Sequence, residues 1–370
     1  MVIYIISREE WGLMRMSKQN YAIELASQGH NVYFVHCPDR RRRLKRGQVL
    51  VRNTEFELLK VVDYRLFFPL FIKYNFFLLY RILFKIQFLL IKKVINVKPD
   101  LIWSFDTEAD VPINIFDKRT PKIYMPVDGP FNHDFELFNA KYADLIVSVT
   151  DRIINRYNIF NCKKEIVNHG VGNEFFNSTP SKINDSVKKA GYSGSLVRND
   201  LHFNFFKKVI NGNPMITFEF WGEYDIFNSS IHSIDDISFE TKDFIKFLMN
   251  AKNVILHGPV NQSQLSIGLN RMDLLIIAYN ISEDQNHHKV NEYLTTGKLI
   301  VSTYMSSFTG TDLLIMAENN SDEDSLLNLF DSVITNYSSY MTVDKIKRRI
   351  EFAQKNSYKT LTREILEKVL

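Results

Sequence analysis

Residues 284–302, with the sequence DQNHHKVNEYLTTGKLIVS, determine how the rest of the chain is interpreted. Lys289 and Glu292 are three residues apart, a spacing that places two side chains on one face of a helix. Gly297 is typical of a residue that ends a helix, and the apolar run after it predicts a buried strand. A further apolar run at 273–278 predicts a strand just before this stretch. The helix is therefore expected near the carboxyl end of a parallel strand, where open α/β sheets bind ligands.

The predicted helix carries groups that suit a nucleoside diphosphate. The first turn of a helix offers unpaired N–H groups and partial positive charge, and both favour phosphate. Lys289 adds a cation beside the phosphates, and the Glu292 carboxylate can accept hydrogen bonds from two vicinal ribose hydroxyls. A second acidic residue, Asp284, lies eight positions before Glu292. These residues predict a nucleotide-sugar site. The alternative is an amphipathic helix whose charged residues only face solvent.

This stretch resembles the donor-binding signature of the group 1 glycosyltransferases, which have the GT-B fold. The signature has two acidic residues eight apart and a helix of the form K-x-x-E-Y-L-x-x-G-K-x-x-V. Lys289, Glu292 and the residues at 293, 294, 297 and 298 match it. Asp284 takes the place of the usual first glutamate, and Asn286 is one of three residues that replace glycines. The resemblance implies that Lys289, Glu292, Asp284 and Asn286 bind the donor.

Composition is that of a folded chain with more than one domain. A chain of 370 residues suffices for two domains, and contents of 45% hydrophobic and 24% charged residues are ordinary for a globular protein. The net charge of +4 gives no indication of a nucleic-acid partner. Cys37 and Cys162 have neither the spacing of zinc ligands nor that of a disulfide framework. The N-terminus lacks the features of a secretory signal, so we expect a cytoplasmic protein.

The first 37 residues predict a βαβ unit. Residues 2–7 and 31–37 have the pattern of buried strands, and Ser17 is the expected N-cap of the helix between them. The turn lacks the G-x-G-x-x-G pattern of dinucleotide sites. The unit resembles the opening of GT-B glycosyltransferases, in which the loop after the first strand faces the cleft. That resemblance implies donor contacts by Gly12 and Arg15; a surface role for Arg15 is the alternative.

Two further segments of the N-terminal half are unusual. Residues 40–46, RRRRLKR, predict contact with anionic lipid or with a phosphate-bearing acceptor, or else a solvated loop. Residues 66–91 are crowded with aromatic and aliphatic side chains, yet no apolar run approaches the ~20 residues that span a bilayer. Arg81, Lys85, Lys92 and Asn96 are spaced as one narrow polar stripe of a helix. Such a helix either packs against the protein on most sides or makes peripheral contact with an anionic membrane.

Asp106 and Asp128 are candidate catalytic residues on the acceptor side. Each follows a predicted strand, at residues 99–104 and 122–127, and so falls where ligand-binding residues are expected. Group 1 glycosyltransferases often place a histidine motif after the first of these strands, and here Ser-Phe-Asp stands in its place. Turn formation is the alternative role for both aspartates.

The predicted second domain contains further donor-binding candidates. Residues 190–196 resemble the start of the family's C-terminal domain, whose next loop carries an arginine for the diphosphate, and Arg198 matches that arginine. The family's nearby lysine is absent. His257 and Gly258 resemble the loop that packs around the nucleobase. The resemblance therefore implies that Arg198 and Lys289 stabilise the departing diphosphate, as a catalytic pair of preorganised cations.

The whole pattern predicts an α/β protein of the GT-B fold, with two Rossmann-like domains whose parallel sheets face a cleft. We expect an acceptor-binding domain at 1–175, a donor-binding domain at 188–345, and a terminal helix at 346–370 that crosses back. The resemblance implies transfer of a sugar from a nucleotide-diphosphate sugar to a glycan or lipid-linked acceptor in cell-surface polysaccharide biosynthesis. It further implies retention of configuration, with no metal and no other cofactor. The alternatives are a sugar-nucleotide 2-epimerase of the same fold and a non-catalytic scaffold.

Overall fold

The chain forms two compact α/β units. One unit comprises Met1–Gly170 with Tyr358–Leu370, and the other comprises Val171–Ser357. The structure is a computed structural model, and it describes residues 1–12, 16–127, 133–177, 184–225, 237–280, 288–318 and 323–370.

The first unit is built on a largely parallel sheet. Its strands are β1 (Val2–Ile6), β2 (Asn31–Val35), β3 (Val49–Asn53), β4 (Leu59–Tyr64), β5 (Leu101–Ser104), β6 (Lys122–Tyr124), β7 (Leu145–Ser148) and β8 (Lys163–Ile166). They lie in the order β3-β4-β2-β1-β5-β6-β7-β8, and β3 is antiparallel to β4. The strand order reverses between β1 and β5, which is the position where open parallel sheets bind ligands.

Helices cover both faces of this sheet because alternate strand residues point to opposite sides. Ile3 and Ile5 pack on one face with the helices at Ser17–Ser27 (α1) and Tyr358–Val369 (α13), whereas Tyr4 and Ile6 pack on the other face with the helix at Phe77–Ile95 (α3). The helices of this unit are α1 (Ser17–Ser27), α2 (Phe71–Asn75), α3 (Phe77–Ile95), α4 (His133–Ala140), α5 (Asp151–Asn155) and α13 (Tyr358–Val369). Within the described ranges, no helix is long and apolar enough to cross a membrane.

The second unit contains a sheet whose described pairs are all parallel. Its strands are β9 (Lys189–Ser193), β10 (Thr217–Trp221), β11 (Val254–Gly258), β12 (Leu274–Ile277), β13 (Leu299–Ser302) and β14 (Ile315–Met316). The order is β11-β10-β9-β12-β13-β14, so the reversal falls between β9 and β12. Its helices are α6 (Phe203–Gly212), α7 (Phe239–Asn250), α8 (Gln262–Asn270), α9 (Lys289–Leu294), α10 (Glu323–Thr335), α11 (Tyr337–Tyr340) and α12 (Val343–Lys355).

The returning C-terminal segment is shorter than the predicted range 346–370. Helix α12 belongs to the second unit because the buried Arg349 guanidinium donates to the carbonyl oxygens of Gly297, at 3.1 Å, and Leu313, at 3.3 Å. Only α13 returns to the first unit, where Tyr358 contacts the Tyr21 ring of α1 with centroids 4.9 Å apart. The units therefore divide after residues 170 and 357.

Three local predictions differ from the structure. Ser17 is the first residue of α1 and not its N-cap; the preceding Met16 N–H donates to the Gln19 side chain at 3.1 Å. The sequence at 312–316 predicts a further strand, and in the structure only the two residues of β14 form it. The β3–β4 pair departs from the predicted parallel pattern, because the short connection at 54–58 allows a hairpin but not a parallel crossover.

Candidate functional site

The strongest candidate site lies at the carboxyl edge of the second sheet, where β9 and β12 are neighbours. Ser193 is the last residue of β9, and Tyr279 follows β12 by two positions. Lys289 begins α9, so its side chain reaches both strand ends from the next element of the chain. Ligand sites of open parallel sheets form at this kind of reversal point.

Lys289 is a buried cation held by oxygen atoms and aromatic rings. Its ammonium group donates to the Ser193 carbonyl oxygen at 2.7 Å and to the Tyr279 hydroxyl. The nitrogen also lies 4.8 Å from the centroid of the Tyr192 ring and 5.0 Å from that of Tyr279. Only 5% of the residue is exposed. No carboxylate lies within ion-pair distance of Lys289 in the part of the chain that the structure describes, so its charge is available to an anionic ligand.

Arg198 meets Lys289 at the same tyrosine. Its guanidinium lies 4.5 Å above the Tyr279 ring, and one of its nitrogens donates to the hydroxyl at 3.4 Å. The opposite side of the guanidinium is fixed by a bidentate pair with Asp200. Burial opposes its charged form, but the hydrogen bonds that it donates to Asp200, together with its electrostatic interactions with Tyr279, Tyr192 and Asp200, outweigh burial and raise the pKa of Arg198. The structure therefore brings together the two cations that the sequence predicted for a diphosphate.

The pKa of the Tyr279 hydroxyl reflects the positive charge of this cluster. Burial alone would raise the pKa of its hydroxyl, but the charges of Lys289 and Arg198, together with the hydrogen bonds to Lys289 and Tyr192, outweigh burial and hold that pKa below the usual value of 10.0. The Tyr192 hydroxyl lies 3.2 Å from the Tyr279 hydroxyl and is a further polar neighbour. Positive potential strong enough to stabilise a buried phenolate would stabilise a phosphate oxygen in the same way.

Glu292 lies three residues after Lys289 on α9 and is half-buried. Burial raises the pKa of its carboxyl to about 7, and Lys289 acts in the opposite direction without cancelling the effect. No hydrogen bond to this carboxylate is found among the described residues. Near neutral pH the group can therefore both donate and accept hydrogen bonds, which suits a pair of hydroxyls.

Glycines bring the strand ends of this edge close together. Gly194 and Gly222 follow β9 and β10 with φ of +140° and +142°, a region that side chains disfavour. A Cβ on Gly222 would lie 2.1 Å from the Gly194 carbonyl oxygen, and a Cβ on Gly194 would lie 2.5 Å from the Lys289 nitrogen. The chain can therefore approach Lys289 this closely only where the side chain is absent.

His257 has contacts of a different kind. It belongs to β11, its ring stacks on Trp221 at 4.8 Å, and its Nε2 lies 2.8 Å from a Glu219 oxygen. The Gly258 carbonyl oxygen accepts a hydrogen bond from the Gly222 N–H at 2.9 Å. Both residues thus lie at the carboxyl end of a sheet strand, and their contact with a nucleobase stays a prediction.

A pocket of about 510 Å³ opens in the first unit beyond β1 and β2. It is lined by Arg8, Glu9, Glu10, Gly12, Met16, Cys37, Arg40 and Arg41. Gly12, predicted to contact the donor, is therefore part of a cavity wall. The Arg40 guanidinium is fixed by Asp110 at 3.2 Å, which shows that the basic segment 40–46 is only partly solvated.

Asp106 does not have the accessibility of a catalytic residue. Its side chain is completely buried, and its two oxygens accept hydrogen bonds from the N–H groups of Glu108 at 3.0 Å and Val111 at 2.8 Å. Burial, followed by the charge of Asp110, raises the pKa of Asp106 to about 7. Asp106 therefore shapes its loop in this structure, and its catalytic role stays a prediction.

Four predicted site residues, Arg15, Asp128, Asp284 and Asn286, lie outside the described residues. Within the described ranges, no group of three or more His, Cys, Asp and Glu residues could hold a metal ion. Tyr279 was not predicted as a site residue, although a hydroxyl-bearing residue directly after the apolar run at 273–278 was the available signal.

Solved structures of other proteins share this fold over essentially the full chain. Sucrose-phosphate synthase from Thermosynechococcus elongatus matches at a TM-score of 0.68 and 9% identity, with 99% of this chain and 97% of that chain covered. HepE of Anabaena in complex with UDP-glucose matches at 0.68 and 14% identity, covering 100% and 99%. The lipopolysaccharide outer core galactosyltransferase WaaB matches at 0.64 and 14% identity, covering 100% of both chains. No family model and no curated protein sequence matches the chain. The similarities confirm the predicted GT-B fold.

Proposed function

We propose that this protein is a glycosyltransferase that moves a sugar from a nucleoside diphosphate sugar to a glycan or lipid-linked acceptor. The observation that carries the proposal is the meeting of Lys289 and Arg198 at the Tyr279 hydroxyl, on the sheet edge where GT-B proteins and other open α/β folds bind ligands. The cations have no competing carboxylate among the described residues except Asp200.

The chemistry follows from the charge that develops when the sugar leaves the diphosphate. The bond between the anomeric carbon and the diphosphate oxygen breaks, the acceptor oxygen forms the new bond to the anomeric carbon, and the proton of the acceptor hydroxyl passes to the departing diphosphate. Negative charge accumulates on the diphosphate, and fixed cations stabilise it more strongly than they stabilise the intact donor. Lys289 is preorganised for this role because Ser193 and Tyr279 already fix its nitrogen.

Glu292 is proposed to bind the ribose hydroxyls of the donor. Its carboxyl has no partner among the described residues and titrates near neutral pH, so a hydroxyl pair can satisfy it in either protonation state. Two similar structures, HepE in complex with UDP-glucose and the lipopolysaccharide outer core galactosyltransferase WaaB, favour a UDP-sugar and a glycan acceptor. Retention of configuration, independence from metal, and a role in cell-surface polysaccharide biosynthesis are parts of the same proposal.

Thermal unfolding with UDP, GDP, ADP and dTDP tests the donor site. A nucleotide at about 100 times its Kd adds about 2.7 kcal/mol to the free energy of unfolding, which is enough for a clear shift in Tm. We expect a shift with one nucleotide that is lost in Lys289→Met and in Glu292→Ala. Lys347→Met is the matched control, because this lysine is 72% exposed on the same unit. The absence of a shift with every nucleotide would overturn the donor site.

Turnover separates transfer from its alternatives. The assay supplies nucleotide sugars of the nucleotide that stabilises the protein, together with a glycan or lipid-extract acceptor. A transferase then releases the nucleoside diphosphate and labels the acceptor. A second free sugar nucleotide would instead identify an epimerase, and binding without turnover would favour a scaffold. Activity that survives EDTA would support metal independence, whereas loss that Mg²⁺ or Mn²⁺ restores would refute it. The anomeric configuration of the product, measured by NMR, tests retention.

A further inference from the structure

Helix α3 of the first unit exposes a wide apolar face. Its buried residues, which include Tyr80, Phe84 and Ile91, pack on the sheet. On the side away from the sheet are large apolar residues that are 38–67% exposed: Leu78, Leu79, Ile82, Ile86, Leu89, Leu90 and Val94. At about 100° per residue these positions fall in one continuous sector of the helix surface. This excludes the interpretation of α3 as a helix buried on most sides.

The exposed surface continues beyond α3. Phe71 and Tyr74 of α2 are 58% and 54% exposed, and Phe76, between the two helices, is 60% exposed. Val97 after α3 is 43% exposed. An exposed apolar surface of this extent on a monomer marks an interaction site.

The segment 64–99, which carries the apolar surface, has positive charge and no negative charge. Residues 64–99 contain seven cationic residues and no acidic residue. Lys85 and Lys92 are exposed and lie, with Arg81, in the narrow sector between the buried and exposed apolar faces, as the sequence predicted. Lys93 and Lys98 are exposed at the C-terminal end. A helix with a Phe/Leu/Ile face and a Lys/Arg border is typical of helices that lie in a membrane interface.

The helices are firmly attached to the unit despite their exposed face. The buried Lys73 ammonium of α2 pairs with Asp110 at 2.7 Å, and the Tyr80 hydroxyl of α3 donates to the Asp110 carbonyl oxygen at 2.6 Å. The Gln87 side chain accepts a hydrogen bond from the Phe67 N–H at 3.1 Å. The apolar residues are therefore presented on a fixed support.

We propose that α2 and α3 dock this protein on an anionic membrane surface, with α3 lying in the plane of the interface. The charge pattern selects lipid over a second copy of this chain, because a symmetric pairing of the apolar faces would bring two sets of cations together with no carboxylate from residues 64–99. At about 1.5 Å per residue the exposed apolar sector, from Leu78 to Val94, extends over about 24 Å, along the surface and not across it. The proposal is independent of the proposed function, since it uses no residue of the second unit.

Vesicle flotation of the full chain tests the proposal. Phosphatidylcholine vesicles with and without 30% phosphatidylglycerol separate the electrostatic from the apolar contribution, and ~1 kcal/mol per surface lysine predicts about a fivefold change in affinity for each charge. We expect binding to the anionic vesicles, at least about a 25-fold loss in Lys85→Glu/Lys92→Glu, and retention in the control Lys347→Glu/Lys355→Glu. Equal binding of the wild type to both vesicle types would refute the electrostatic basis of docking.

A second set of variants tests the apolar face. Leu78→Ser/Ile82→Ser/Ile86→Ser should weaken vesicle binding at least about tenfold without lowering Tm, because all three side chains are exposed. Met215→Ser/Phe239→Ser is the control, since these residues are 90% and 80% exposed on the second unit. Unchanged binding of the triple variant would overturn the proposal. The proposal would also be overturned if light scattering showed a wild-type dimer that the triple variant abolishes and the wild type bound no vesicles.

Discussion

Replacement of Glu292 by glutamine should stabilise the protein above neutral pH. Burial raises the pKa of this carboxyl from 4.5 to about 7 in the folded chain. A folded-state pKa above the unfolded value means that the folded protein binds the proton more tightly. The carboxyl therefore stabilises the fold fully below about pH 4.5, and this contribution is lost as the pH rises to about 7. Glutamine has no charged form, so the loss disappears in the variant.

The pKa shift sets the size of the effect. A rise from 4.5 to about 7 corresponds to about 3 kcal/mol between the two protonation states. Glu292 keeps contact with solvent, which screens the charge, so we expect about half of that difference. For a unit of this size, each kcal/mol changes Tm by about 2–4 °C. Glu292→Gln should thus melt about 3–6 °C above the wild type at pH 8 and within about 1 °C of it at pH 5.

Circular dichroism melts from pH 5 to pH 8.5 measure this difference directly. Glu351→Gln is the matched control, because this α12 glutamate is 51% exposed and pairs only with Lys347 among the described residues, at 3.7 Å. The control should show no dependence of its difference on pH. A Glu292→Gln difference that stays constant from pH 5 to pH 8.5, or that favours the wild type at pH 8, would refute the proposed burial of this carboxyl.

Three further predictions concern the stability and reactivity of each unit. Gly222→Ala should destabilise the second unit by about 3 kcal/mol or more in urea unfolding, because its Cβ would overlap a carbonyl oxygen at positive φ; Gly212→Ala, with open space around it, should cause no loss. Lys73→Met should cost about 3 kcal/mol or more, since it removes one partner of the buried pair with Asp110, and equal melting of variant and wild type would contradict this. Burial raises the pKa of the Cys37 thiol to about 12, so alkylation at pH 8 should be at least about 100-fold slower in the folded protein than in urea, and fast labelling of the folded protein would exclude this burial.

The fold was predictable because its strongest signals are local. The apolar runs at 2–7, 273–278 and 299–301 each produced a buried strand, since a strand covered on both faces needs continuous apolar sequence. The β3–β4 hairpin was not predicted, because its apolar runs at 49–51 and 61–62 are short and β3 is a largely exposed strand at the sheet edge. The apolar face of α3 has a different cause. A sequence shows that a helix is apolar around most of its surface, but only the structure shows which apolar residues the neighbouring strands cover.

At the candidate site, too, local spacing was predictable from the sequence, whereas contacts between distant residues were not. Lys289 and Glu292 were predicted together because three-residue spacing on a helix fixes their common face. Spacing does not determine whether they form an ion pair. In the structure the Lys289 ammonium is drawn to Ser193 and Tyr279, and the pKa of Glu292 rises to about 7. An ion pair would have lowered that pKa and neutralised the lysine. Because the two groups are held apart, the site keeps an unpaired cation for a phosphate and a separately titrating carboxyl for a hydroxyl pair.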